Sequence, residues 1–253
     1  ARWMNFRLDL TSDEGFSQSP WVELADWTRF NYINYNFWEG NAVTWRDTYK
    51  SIFRANQVLA NVPNIEFTDQ TRKKQIIGEA KFLRAFNYYY AALLWEDIPL
   101  VLEPSKPDDL PQQVSEEEVL AQAEADLNDA FADLPLAWDA TQTGRPKAML
   151  AKIYMQQHKW DQAKTALDFL VIGEGATYSL VANFKDNFTD LNENNSESVF
   201  EIQFGDQRRG GTDEGADASV SSTRAQFFAP RGIGWSDGQA RFWLVDAFKQ
   251  EKT

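Results

Sequence analysis

The amino-acid sequence predicts a mainly α protein made of tetratricopeptide-like helical hairpins, with long irregular loops and a few short strands. Apolar residues recur at helical spacing through most of residues 41–172, and proline- or glycine-rich segments separate the repeats. Strand-like alternation is confined to short runs after that region. We therefore divide the single domain 1–253 into an aromatic-rich leader (1–40), a helical scaffold (41–172) and a loop-rich region with short strands (173–253).

The first two predicted helices have clear start and stop signals. Asn41 is the expected N-cap of a helix over residues 41–62, which ends at a proline. A second helix runs from about residue 71 to Trp95, because a proline four residues further on forbids continuation. The apolar stripes along one face consist of Trp45, Tyr49, Ile52, Phe53, Leu59 and Val62 in the first helix, and Ile76, Ala80, Leu83, Phe86, Tyr90 and Leu94 in the second.

A capping box marks the start of the third helix. Ser115 and Glu118 have the required spacing, and helical periodicity then continues to Leu134. The preceding segment, 103–111, contains three prolines and little apolar periodicity. We therefore expect it to be a surface linker.

Residues 147–157 and 160–170 are predicted to form a helical hairpin after a turn-rich stretch that ends at Gly144. Alternation of small and large residues in this hairpin is typical of a tetratricopeptide unit: Ala151, Tyr154, Trp160, Ala163, Leu167 and Leu170. The helices at 78–95 and 115–134 would pair as a second, divergent unit. Ordinary antiparallel helices are the alternative interpretation.

Composition excludes several classes of function. The chain has 38 acidic and 25 basic residues and a net charge of -13, so its average field repels nucleic-acid phosphates, and we expect no nucleic-acid partner. Without cysteine it can form neither disulfides nor zinc–thiolate sites. It begins at Ala1 without a signal peptide, and no apolar stretch is long enough to span a bilayer. We expect the chain to be part of a longer protein.

No recognisable catalytic motif is present. The sequence contains neither a Gly-x-Ser-x-Gly elbow nor a phosphate-binding glycine loop, and its one histidine, His158, lies in the predicted hairpin turn. A calcium-loop-like spacing of acidic and amide residues at 190–201 has Asn195 where glycine is required. We therefore expect a binding protein, not an enzyme, with no cofactor or metal. A glycoside hydrolase remains an alternative, because that chemistry needs only two suitably placed carboxyl groups.

The region after the scaffold combines a predicted strand with a long loop. Residues 198–204 alternate apolar and polar side chains, whereas 205–238 is rich in glycine, serine and charged residues. Four arginines make this loop locally basic: Arg208, Arg209, Arg224 and Arg231. They would suit an anionic glycan such as a uronate polymer, although ordinary solvated loop charges are the simpler interpretation.

Several segments, taken in order, resemble the SusD/RagB family of surface nutrient-binding lipoproteins of Bacteroidetes-type bacteria. The most distinctive are Gly-Glu-Ala-Lys-Phe-Leu-Arg-Ala-Phe at 78–86 and Trp-Glu-Asp-Ile-Pro-Leu-Val at 95–101. Other segments match the family in the same order: the helices before and after these two motifs, then Gly144-Arg145, then residues 195–204. The resemblance extends from about Trp45 to Phe204.

The resemblance implies a SusD-like fold. It also implies a protein anchored by lipid to the outer membrane at the cell surface, where it covers a SusC-like TonB-dependent transporter. It also implies an oligosaccharide or polysaccharide ligand, with peptides bound by some relatives. The lipobox cysteine and the C-terminal part of a typical member are absent from this sequence. Any attachment to the membrane would therefore depend on a lipid anchor outside this chain.

The predicted ligand surface lies on the aromatic leader, because the family binds ligands on exposed loops that include the segment before the first paired helices. Aromatic rings would stack on sugar faces, while charged side chains would bind hydroxyl or acid groups. The predicted ligand-binding residues are Asp13, Trp21, Trp27, Arg29, Tyr35, Trp38 and Trp235. The alternative for each ring is burial in the core, and a tetratricopeptide adaptor for a protein partner is a further alternative for the whole chain.

Overall fold

The structure, a computed structural model, describes residues 2–31, 38–134, 140–173, 178–189, 191–202 and 224–250. It divides into two units, which we call the aromatic unit (residues 1–46 and 202–253) and the helical unit (residues 47–201). The boundary at residue 47 falls within a long helix. The described part is mainly helical, as predicted, and its strands are two residues long.

The elements of the aromatic unit are α1 Arg2–Leu10, β1 Gly15–Phe16, α2 Val22–Arg29, the first part of α3 Trp38–Asn61, α8 Arg224–Phe228, β4 Gln239–Ala240 and α9 Phe242–Gln250. Those of the helical unit are the rest of α3, a 3-10 turn Val62–Asn64, α4 Gln70–Trp95, β2 Ile98–Pro99, β3 Gln113–Val114, α5 Glu116–Asp133, α6 Ala140–Gln156, α7 Trp160–Val171 and a 3-10 turn Phe184–Phe188.

Two helix pairs form the helical unit, and both were predicted. Helix α4 packs along α5, and α6 packs along α7. Ala85 on α4 and Ala123 on α5 are both fully buried. Small side chains at such positions let two helices pack closely. The capping box is present at the start of α5. The Ser115 side chain accepts a hydrogen bond from the Glu118 backbone, and the Glu118 side chain accepts one from the Ser115 backbone N–H. The predicted pairing of 78–95 with 115–134 is thus confirmed.

A buried ion pair joins α4 to α5. The Arg84 guanidinium donates two hydrogen bonds of 2.7 Å to the two carboxylate oxygens of Asp126. It also donates to the side chain of Asn56 on α3 and to the Leu102 carbonyl. Because nearly every part of this network is buried, the bidentate pair fixes the position of three helices and of the chain that follows α4.

Two tyrosines hold the segment after α4. Tyr49 donates a hydrogen bond of 2.7 Å to the Pro99 carbonyl, and the Tyr88 hydroxyl both donates to and accepts from the backbone of Val101. Burial raises the pKa of Tyr88 to about 12 and raises that of Tyr49 further. Both hydroxyls are therefore neutral donors at physiological pH.

The aromatic unit has a core of large rings. Its buried residues are Trp3, Phe6, Leu10, Leu24, Trp27, Val43 and Phe227, with Phe228 packed against them. Strand β1 pairs with β4 in antiparallel register, Gly15 opposite Ala240, so the first and last described segments of the chain lie side by side. This pairing holds the leader against the end of the loop-rich region, a contact that sequence periodicity does not indicate.

Some local predictions were wrong. Helix α3 begins at Trp38, so Asn41 lies within its first turn and is not the N-cap. Helix α6 begins at Ala140 and includes Gly144, where we expected a turn, because tertiary context overrides the low helix propensity of glycine and proline. Part of the predicted 205–238 loop, Arg224–Phe228, is helical.

The predicted strand at 198–204 is also absent from its described portion. Residues 198–202 have no strand partner among the described residues, and the last two positions lie outside them. Instead, the Phe200 ring packs edge-on against Phe82 (5.2 Å between centroids) and Phe86 (5.5 Å), with the Arg145 guanidinium over it. Phe200, one of the apolar residues in the alternating pattern, therefore packs against aromatic rings of α4.

Candidate functional site

Trp21 presents part of its ring on the surface of the aromatic unit. Its side chain is 37% exposed and stacks on Trp3, with 5.8 Å between ring centroids and 20° between ring planes. Trp3 is buried, so it supports the inner face of the Trp21 ring. A ring held in this way loses little conformational freedom when a flat ligand stacks on it.

Trp235 is a second supported ring. It is 52% exposed and packs perpendicular to Phe227 at 4.8 Å between centroids. Its backbone is held too, because the Trp235 N–H donates to the Gln226 carbonyl at 2.8 Å and the preceding Gly234 N–H donates to the Pro230 carbonyl. The ring thus stands on a fixed turn.

Both exposed tryptophans rest on one core. Trp3 contacts Phe6 at 6.1 Å between centroids, and Phe6 contacts Phe227 edge-on at 5.8 Å. A continuous series of ring contacts therefore connects Trp21 to Trp235 through buried residues. The structure brings these two predicted site residues into one unit and exposes both.

Trp27 differs from these two rings. It is 2% exposed and packs edge-on against Trp3 at 6.2 Å. Leu24, one helical turn earlier on α2, is also fully buried, so this face of the helix points into the core. The prediction that Trp27 stacks directly on a ligand is therefore corrected: its ring is covered and packs against Trp3 within the core.

The remaining predicted residues are placed as follows. Asp13 is exposed in the turn between α1 and β1, and its backbone carbonyl accepts a 3.0 Å hydrogen bond from the Trp243 indole. Arg29 is exposed at the last position of α2. Tyr35 and the side chain of Trp38 lie outside the described residues. The structure thus leaves the side chains of Asp13 and Arg29 accessible from solvent.

Sequence reasoning missed the chain that follows Trp235. Ser236 adopts a left-handed backbone conformation with φ of 58°, and Asp237 is buried. A Cβ atom on Gly234 would lie 2.6 Å from the Gln226 carbonyl oxygen, and one on Gly238 would lie 2.5 Å from the Phe228 ring. The sequence did contain a signal for this packed segment. Gly234 and Gly238 lie on either side of it, and glycine often marks a place where the backbone lies very close to another group.

Sites for other chemistry receive no support from the described residues. His158 is exposed in the turn between α6 and α7, as predicted, with its ring against Trp160. Glu201 accepts hydrogen bonds from the Asn194 backbone. No group of three metal-ligating side chains occurs among the residues that the structure describes. Within the same residues, no helix is both long enough and apolar enough to span a bilayer.

Comparison with protein families gives a match over residues 5–155 to a SusD-like model, described as starch-binding and associating with the outer membrane. The chain belongs to the SusD-like family. The resemblance drawn from the sequence is thus confirmed. Among curated proteins, SusD-like protein P25 of Formosa agariphila is 31% identical over 204 residues, which cover 74% of this chain and 38% of that protein.

Solved SusD-like structures share the fold. A laminarin-binding SusD-like protein superposes with a TM-score of 0.81 at 24% identity, over 97% of this chain and 59% of the other. A SusD superfamily protein from Bacteroides vulgatus gives 0.81 at 26% identity, over 98% of this chain and 52% of the other. A structure solved with xylogluco-oligosaccharide gives 0.67 at 21% identity, over 81% of this chain and 44% of the other. The chain spans little more than half, or less, of each of these proteins.

Proposed function

We propose that this SusD-like chain captures oligosaccharide or polysaccharide at the cell surface and that the exposed rings of Trp21 and Trp235 form its glycan platform. The observation that carries the proposal is that both rings are exposed yet held from behind by one aromatic core. The C–H faces of sugar rings pack on such surfaces while their hydroxyl groups remain available to polar partners. Asp13 and Arg29 would supply some of those partners.

Two further points support a glycan ligand. Relatives of similar fold include a protein described as laminarin-binding and a structure solved with xylogluco-oligosaccharide. Both rings are also exposed at the surface, and this suits a polymer that binds along its length. Such a surface binds without surrounding the scissile bond of a glycan, which favours capture over hydrolysis.

Delivery to a transporter is the second part of the proposal. The family model is described as associating with the outer membrane. We assign to the protein a lipid-anchored position at the cell surface and a SusC-like TonB-dependent transporter as its partner. Co-purification of the two proteins from membranes tests this part independently of glycan affinity.

Titration calorimetry with neutral and uronic glycans tests the platform. Trp21→Ala and Trp235→Ala should each weaken binding at least about tenfold, since exposed aromatic anchors often dominate the affinity of a site. Trp160→Ala is the matched control, because Trp160 is 60% exposed but belongs to the helical unit. It should bind as the wild type does.

Three outcomes would contradict the proposal. Equal loss of affinity in all three variants would show a general effect of removing surface tryptophan. Absence of binding to every glycan by the wild type would favour a peptide ligand or a protein partner. Release of reducing sugar during the titration would support the glycoside hydrolase alternative.

A further inference from the structure

Trp243 is a further exposed tryptophan of the aromatic unit, in addition to the platform rings Trp21 and Trp235. It is the second residue of α9, and its side chain is 53% exposed. Its indole N–H donates a 3.0 Å hydrogen bond to the backbone carbonyl of Asp13. Because this bond orients the edge of the ring that carries the nitrogen, the exposed part of the indole is presented to solvent in a defined direction.

The two segments that meet at Trp243 are joined by backbone contacts. The backbone N–H of Arg241 donates to the Glu14 carbonyl at 2.7 Å, and its side-chain Nε–H donates to the Gly15 carbonyl at 3.2 Å. Strands β1 and β4 pair directly beside these bonds. A Cβ atom on Gly15 would lie 2.1 Å from the Asp9 carbonyl oxygen, so this part of the leader lies directly against α1. The place of the indole on the leader is therefore determined by the packed backbone.

Acidic side chains lie next to the exposed ring. Asp13 supplies the carbonyl that holds the indole, and its side chain and that of Glu14 are exposed. A tryptophan face packs well on the C–H face of a sugar. A carboxylate offers two acceptor oxygens, and its hydrogen bonds from hydroxyl groups are strong. An exposed indole beside an exposed carboxylate therefore has both of the groups that a sugar ring requires.

The rest of α9 suggests a different occupant, an apolar protein surface. Phe248 is 70% exposed, and no residue of the helix is buried. A protein that covered the start of this helix would also cover Asp13 and Glu14, and removal of carboxylates from water is costly unless they are paired. Sugar hydroxyl groups supply donors to the same carboxylates at an open surface. The start of α9 therefore fits a glycan better than an apolar partner.

We infer that Trp243 and the Asp13 carboxylate form a second subsite for glycan, in addition to the platform of Trp21 and Trp235. A sugar ring stacks on the exposed indole face, and its hydroxyl groups donate to the carboxylate. The inference rests on the proposed function, because it requires that the chain binds glycan. A polymer held at one subsite has a raised effective concentration at the other. Affinity should therefore be higher for a polysaccharide than for its disaccharide.

Calorimetric titration tests the subsite with a neutral polysaccharide and its disaccharide as the probes. Trp243→Ala and Asp13→Asn should each weaken binding of the polysaccharide about five- to tenfold. Asp13→Asn keeps the backbone carbonyl that holds the indole, so it tests the carboxylate alone. The matched controls are Phe248→Ala on the same helix and Asp246→Asn, which removes another exposed carboxylate of α9. Both should bind as the wild type does.

Two further measurements separate a binding role from a structural one. Trp243→Phe keeps a stacking ring but removes the N–H that orients it, so its affinity should fall between those of the wild type and Trp243→Ala. Oxidation with N-bromosuccinimide, mapped by peptide mass spectrometry, reports the accessibility of each indole. Saturating polysaccharide should slow the oxidation of Trp243 and leave that of Trp160, in the helical unit, unchanged. Equal oxidation of Trp243 with and without polysaccharide would overturn the inference.

The results distinguish this inference from the platform. If Trp21→Ala and Trp235→Ala lose affinity while Trp243→Ala and Asp13→Asn bind as the wild type does, the platform stands and the second subsite is rejected. If only the Trp243 and Asp13 variants lose affinity, the subsite stands and the platform is rejected. An equal loss in Phe248→Ala and Trp243→Ala would show that the apolar face of α9 is the contact surface and would overturn the inference. If the wild type binds no glycan, both proposals fail.

Discussion

The helical unit and the aromatic unit are stabilised by different kinds of core. In the helical unit, alanines such as Ala85 and Ala123 let helices approach closely, and the buried Arg84–Asp126 pair satisfies its polar groups inwardly. In the aromatic unit, short helices surround large rings, and some of those rings continue to the surface. The helical unit thus pairs its buried charges internally, whereas the aromatic unit extends its ring core to the exposed rings of Trp21 and Trp235.

This difference between the two cores indicates which unit can carry a ligand-binding surface without loss of stability. A network such as that of Arg84 uses its charged groups for cohesion, so none is left for a ligand. Rings such as Trp3 and Phe227 stabilise the core and at the same time support exposed neighbours. The aromatic unit can therefore change its exposed residues while its core stays intact.

The largest effect that tests this comparison is expected at the buried ion pair. Asp126→Ala should destabilise the protein by about 3–5 kcal/mol, because it leaves the Arg84 charge buried without its partner. Denaturant titration measures the change. Asp129→Ala, which removes an exposed partner of Lys81, should cost less than about 1 kcal/mol.

A double variant sharpens this prediction. Arg84→Met combined with Asp126→Leu should recover most of the stability lost in Asp126→Ala, since apolar groups of similar volume can replace a buried pair. If the double variant is as unstable as the single one, the network stabilises the helical unit through its hydrogen bonds to Asn56 and Leu102, and the ion pair itself is secondary.

A smaller effect is expected from filling a glycine site in each unit. Gly238→Ala should destabilise the aromatic unit by about 1–3 kcal/mol and weaken glycan binding, because the new methyl group would overlap the Phe228 ring. Gly78→Ala in α4 is the comparison: its Cβ would lie 3.1 Å from Leu134, and alanine improves helix propensity by about 1 kcal/mol. Thermal unfolding should show little change for Gly78→Ala. An equal loss in both variants would contradict the claimed difference between the units.

The smallest effect is expected at the capping box. Ser115→Ala should cost about 1 kcal/mol, because the Glu118 backbone N–H in the first turn of α5 loses the Ser115 hydroxyl oxygen that accepts its hydrogen bond. The midpoint of denaturant unfolding measures this loss. Ser115→Asp retains an acceptor and should stay close to wild type; a loss equal to that of Ser115→Ala would argue against a capping role.

Sequence reasoning predicted the helical unit well because its signals are local. Capping residues, prolines and apolar spacing define α3, α4 and α5 to within a few residues. Helix α6 was predicted too short, since Gly144 and Pro146 are tolerated there only in the context of the folded protein. The strand predicted at 198–204 is absent from its described part, 198–202, for a related reason: a strand needs a partner, and periodicity in one segment cannot supply it.

The candidate site was predictable only in part. Sequence pointed to the tryptophans of the leader and to Trp235, but it could not separate the exposed ring of Trp21 from the buried ring of Trp27, because both fit a short amphipathic helix region. The buried position of Asp237 could not be predicted from the sequence. Its position depends on contacts with Ser17 and Phe227, which come from other parts of the chain.

The pairing of β1 with β4 also determines when each unit can fold. Ser17 and Asp237 meet across 220 residues of sequence, and closing so long a loop in an unfolded chain costs about 5 kcal/mol of entropy. The helical unit pairs helices that are consecutive in the chain, α4 with α5 and α6 with α7, so we expect it to fold while the polypeptide is still being made and to shorten that loop. Residues 13–17 contact residues 236–243, so we expect the aromatic unit to be completed last, when these two distant segments of the chain meet.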